Sequence, residues 1–109
     1  MSLSYAWEKS YDAVHHLATS EGDLRKRLIS VFLNDIMHIR AEELPEDIRT
    51  EFEKLMADAA SEEPVGQEGL IDATISRFSA DEASRMAERV VNFYTSVVER
   101  RTLEKQDRH

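Results

Sequence analysis

The chain has 109 residues, 33% of them charged and 41% hydrophobic, with three Gly, two Pro, no Cys and a formal net charge of −8. This length suits one domain with one core, and the lack of cysteine excludes disulfides, thiolate metal sites and cysteine nucleophiles. The acidic balance disfavours nucleic-acid backbones and anionic membranes, both of which are held by Lys and Arg.

The charge excess is local. Residues 1–40 and 70–109 are each neutral, and residues 41–69 set ten carboxylates against Arg49 and Lys54. Few glycines and prolines favour helices over a turn-rich β fold. No stretch reaches the roughly 18 apolar residues of a membrane span. The opening MSLSYAWEKSYDAVHH has neither the basic start nor the long apolar run of a signal peptide. The expected setting is cytoplasmic, with no membrane and no nucleic-acid partner.

The first predicted helix covers about 4–18. Ser2 or Ser4 can cap it, and Leu3 can close over its first turn. Trp7, Tyr11, Val14 and Leu17/Ala18 recur at three- and four-residue spacing and share a face. Ser20-Glu21-Gly22-Asp23 breaks the pattern. Gly22 suits a left-handed turn, and Ser20 or Asp23 can cap the next helix. So short a connection predicts antiparallel neighbours.

The second helix, 24–40, is the most apolar long segment. Leu24, Leu28, Val31, Phe32, Ile36 and Ile39 form its main stripe, and Ile29, Leu33 and Met37 widen it. A sector this wide predicts burial on two or more sides, with the other helices packed around this one. Leu44-Pro45-Glu46-Asp47 announces a third helix, with Pro at its first position and two acids at the positive end of its dipole. Ile48, Phe52, Leu55, Met56 and Ala59 then keep strict spacing. SEEPVGQEG, residues 61–69, is the longest loop, and a short helix over 70–78 turns Leu70, Ile71, Thr74, Ile75 and Phe78 inward.

Ser79 followed three residues later by Glu82 is a capping box for the last helix, which runs to about Arg101 or a turn beyond. Ala83, Met86, Ala87, Val90, Phe93, Tyr94 and Val97/Val98 form its expected buried face. The prediction is therefore all-α: a compact bundle of four main helices and one short one, mainly up-and-down, packed around 24–40. One domain fills 1–101, and 102–109 is a frayed or extended tail.

No motif for catalysis, cofactor binding or phosphate binding stands out, and no cofactor is expected. His15 and His16 are adjacent, point about 100° apart on a helix and cannot chelate one ion from it. Asp35, His38 and Glu42 are spaced three and four apart and form the one weak metal or acid–base candidate, provided the second helix continues past Arg40. Arg25, Lys26 and Arg27 form the one dense basic run, placed in a first turn where the dipole disfavours cations.

The acidic segment is the main functional candidate, with Glu42, Glu43, Glu46, Asp47, Glu53, Glu62 and Glu63 as partner-binding residues beside Arg25, Lys26 and Arg27. The expected function is a small, bacterial-type, non-enzymatic interaction or regulatory protein whose protein partner presents a basic surface. One alternative is an inhibitor or immunity-like protein, including a nucleic-acid mimic, that covers a basic site on its target. The other is a small metal-dependent hydrolase using Asp35 and His38. A homo-oligomer is a further expectation, through Tyr94, Val98 and Leu103.

Overall fold

A computed structural model describes residues 3–106, and the described residues are helical, with no strand. Helix α1 spans Ser4–Thr19, α2 Leu24–Asn34, α3 Glu46–Ala59, α4 Leu70–Ile75 and α5 Ala80–Gln106. Two 3₁₀ turns, Ile36–His38 and Ala41–Glu43, join α2 to α3. No helix among the described residues is long and apolar enough to cross a membrane. The fold is the all-α arrangement of four main helices and one short one that the spacing predicts.

The longest helix, α5, is the spine. Its residues Ala83, Met86, Val90, Phe93 and Val97 are all buried. Helices α1 and α3 both lie antiparallel to it. Trp7 at the start of α1 meets Arg101, and Tyr11 meets Tyr94. Asp47 at the start of α3 reaches Arg100, and Asp58 near its end reaches Arg89. Phe52 of α3 meets Phe93, ring centroids 5.7 Å apart, in the same core cluster as fully buried Leu28, Val31 and Phe32 of α2. Burial of each large apolar side chain is worth roughly 1.5–3 kcal/mol.

The caps explain where helices begin. Leu3 holds the cap position of α1 without a side-chain bond and is itself buried; Ser2 lies outside the described residues. Asp23 caps α2 by accepting the Lys26 N–H at 3.1 Å, and Gly22 supplies the turn before it at φ +101°. Pro45 stands one place earlier than expected, at the cap of α3, and its carbonyl accepts the Arg49 N–H at 2.7 Å. The Ser79–Glu82 capping box is reciprocal. Glu82 N–H donates to Ser79 Oγ at 3.1 Å, and Ser79 N–H to Glu82 Oε1 at 2.9 Å.

The second helix departs from expectation. It ends at Asn34 rather than continuing to Arg40, because Asp35 leaves helical geometry at φ −121°, ψ −64°. From there the backbone bonds tighten from four-residue to three-residue steps, with His38 N–H donating to Asp35 O and Ile39 N–H to Ile36 O. The change of path keeps Ile36, Ile39 and Leu44 buried. Leu33 and Met37, expected to widen a buried sector, are instead 43% and 47% exposed. The wide stripe of 24–40 is thus shared between a helix and one 3₁₀ turn, and α2 packs on α1, α4 and α5 while α5 packs on α1, α2 and α3.

The last helix continues to Gln106, so residues 102–106 extend α5 rather than fray. The remainder of the expected tail, 107–109, lies outside the described residues.

Candidate interaction surfaces

The acidic segment forms the turn before α3 and the outer face of α3. Its local shape depends on Arg49. The guanidinium donates from Nε to Ala41 O at 2.9 Å and from Nη2 to Leu44 O at 2.9 Å, with a longer contact to Glu42 O at 3.5 Å. Arg49 therefore satisfies carbonyls of the 3₁₀ turn and leaves the neighbouring carboxylates to solvent. Glu42, Glu46 and Glu53 are exposed, Glu43 is half-buried, and none of the four has a cation within ion-pair distance among the described residues. The one other cation of this segment, Lys54, is also exposed.

Other acids of the segment are used internally. Asp47 pairs with Arg100 and Asp58 with Arg89, both at 2.8 Å. Arg77 lies 4.0 Å from Glu62 and 3.5 Å from Glu68, and donates to Glu63 O at 3.1 Å, so it ties the 61–69 loop to the end of α4. Thr74 adds a second tie, accepting from Glu62 N–H at 2.9 Å while donating to Leu70 O.

The basic run is partly structural. Arg25 donates to Phe78 O at 3.1 Å, and Arg27 to Leu17 O at 2.7 Å and Gly22 O at 3.1 Å. These carbonyls lie at chain turns and a helix end, where no helical N–H reaches them and a cation is favourable. Asp23, at the cap, offsets the unfavourable dipole position of the three cations. Its carboxyl is held below the usual range, first by the Lys26 N–H bond and further by the charges of Arg25 and Lys26. Lys26 is left exposed.

Asp35, His38 and Glu42 are not brought together. With α2 ending at Asn34, Asp35 and His38 close one 3₁₀ turn and Glu42 lies on the next, and the buried Asp35 carboxylate faces His16 instead, Oδ2 to Nδ1 at 3.0 Å. No three His, Asp or Glu side chains converge as a metal ion would need among the described residues. His15 and His16 divide as the helix geometry requires. His15 stacks on Tyr11, ring centroids 6.1 Å apart, while His16 turns to Asp35.

Two hollows accompany these surfaces. A cleft of about 380 Å³ between the end of α3, α4 and the start of α5 is lined by Asp58, Glu62, Glu82, Arg77, Arg85 and Arg89 around Phe78 and Met86. Two of its three arginines are already paired, Arg77 with Glu62 and Arg89 with Asp58. A notch of about 200 Å³ between α3 and α5 holds Asp47, Glu51 and Glu99 beside Arg100 and Leu103. Leu103 therefore sits on the α3 side of α5, away from Tyr94 and Val98, which lie toward α1.

The face between α1 and α5 carries a different signature. Trp7 and Tyr11 stack at 5.5 Å, Tyr94 closes on Tyr11 at 6.3 Å, and the Arg101 guanidinium covers the Trp7 ring at 4.6 Å. Val91 beside them is 41% exposed. The expected buried face of α5 did not separate this edge from the core. No family model, curated protein or solved structure matches the chain.

Proposed function

We propose that the protein is a non-enzymatic interaction or regulatory protein that docks a basic surface of a protein partner against the turn and outer face built from Glu42, Glu43, Glu46 and Glu53. The observation that supports this reading is the division of labour around Arg49. Arg49 is spent on backbone carbonyls, so these four carboxylates have no ion pair among the described residues. A fixed negative patch of this kind accelerates encounter with a basic partner and rejects acidic ones. An inhibitor that covers a basic site on its target would use the same face.

The test is capture of partners from a native extract by the wild-type chain and by a Glu42→Lys, Glu46→Lys, Glu53→Lys variant. These positions have no ion pair among the described residues, so reversal leaves the tethers of α3 intact. The expected result is loss of a basic protein from the captured set, with binding to wild type weakening as salt rises. Unchanged capture by the variant refutes the reading.

A further inference from the structure

We draw no further inference here: the strongest candidate, the cleft between the end of α3, α4 and the start of α5, sets three arginines against three carboxylates, with Arg77 and Arg89 already paired and Glu82 engaged in the cap of α5, and nothing in the structure shows which ligand would occupy it.

Discussion

The imidazole of His16 meets the buried carboxylate of Asp35 at 3.0 Å, bridging the last turn of α1 to the residue at which α2 ends. Asp35 is only 5% exposed at its side chain, whereas His16 is 48% exposed. The pair accounts for a charged residue within an apolar segment. The carboxylate is tolerated because the chain turns there and offers it a donor.

Removing that donor should destabilise the fold. His16→Ala leaves the carboxylate buried without its one side-chain partner among the described residues, at an expected cost of about 1–2 kcal/mol. The half-exposed imidazole keeps the figure below that of a fully buried pair. Asp35→Asn should cost less, since an amide can still bond to the ring and carries no charge to desolvate. Urea denaturation at pH 7 measures both, and a His16→Ala midpoint equal to wild type would remove the structural role assigned to the pair.

Acid should erode the caps. The Glu82 carboxyl is held below its ordinary value of 4.5 by the Ser79 backbone N–H and then by the Ser79 hydroxyl; that of Asp23 is held below 3.8, first by the Lys26 N–H. A lowered folded value means that the unfolded chain takes up the proton first as pH falls. The stabilisation is therefore complete above about pH 5 and is lost as pH drops through 4.5 and 3.8 toward the folded values. A thermal melt series from about pH 7 to about pH 2.5 should show this decline. Glu82→Gln should flatten its upper part while lowering the melting temperature at neutral pH. An acid limb of unchanged slope in that variant would contradict the cap's role.

Arg49 is the third point of leverage. Its fork joins the Ala41 carbonyl, which also accepts the Leu44 N–H, to the Leu44 carbonyl, and it is half-buried while doing so. Arg49→Ala should cost about 1–3 kcal/mol, the range for hydrogen bonds made by a charged donor. Arg49→Lys should recover only part, because an ammonium lacks the planar fork. The same two variants should weaken capture of a basic partner even though one removes and the other retains the positive charge, since the turn carrying Glu42 and Glu43 loses its shape. Capture that follows net charge alone, stronger in Arg49→Ala and unchanged in Arg49→Lys, would show that the turn's order is irrelevant to binding.

Much of this fold is legible in the residues themselves. The capping box at Ser79 and Glu82, the cap at Asp23 and the spacing of Ile48, Phe52, Leu55 and Ala59 act within a few residues, and local rules read them correctly. The end of α2 is not local. Residues 24–40 keep helical spacing throughout, but the helix stops at Asn34, where Asp35 meets His16 nineteen positions earlier in the chain. The roles of Arg25, Arg27 and Arg49 are hidden for the same reason. A cation in a sequence suggests a carboxylate partner, while these three reach backbone carbonyls that only the folded chain places nearby. Ala87, Tyr94 and Val98 read as part of one broad buried face, and only the position of α1 shows which edge it leaves uncovered.

The tethers of α3 make the final prediction. Asp47 and Arg100 at one end, and Asp58 and Arg89 at the other, are ion pairs at 2.8 Å whose carboxylates are 67% and 60% exposed. Exposed pairs contribute about 0–1 kcal/mol. Double-mutant cycles on either pair should therefore give coupling energies below about 1 kcal/mol, falling further in about 0.5 M NaCl. Their effect on binding should be larger than their effect on stability. Asp47 is adjacent to Glu46 in sequence, yet its charge is already engaged by Arg100. Reversal of Glu46 should thus reduce affinity for a basic partner more than reversal of Asp47. Arg100→Ala should release Asp47, so that reversing Asp47 in that background costs nearly as much as reversing Glu46. Titration of the captured partner against wild type, Glu46→Lys, Asp47→Lys, Arg100→Ala and the combined Arg100→Ala, Asp47→Lys chain decides the matter. Equal losses from Glu46→Lys and Asp47→Lys would mean that the partner reads the summed charge of the face and not the particular carboxylates that the fold leaves unpaired.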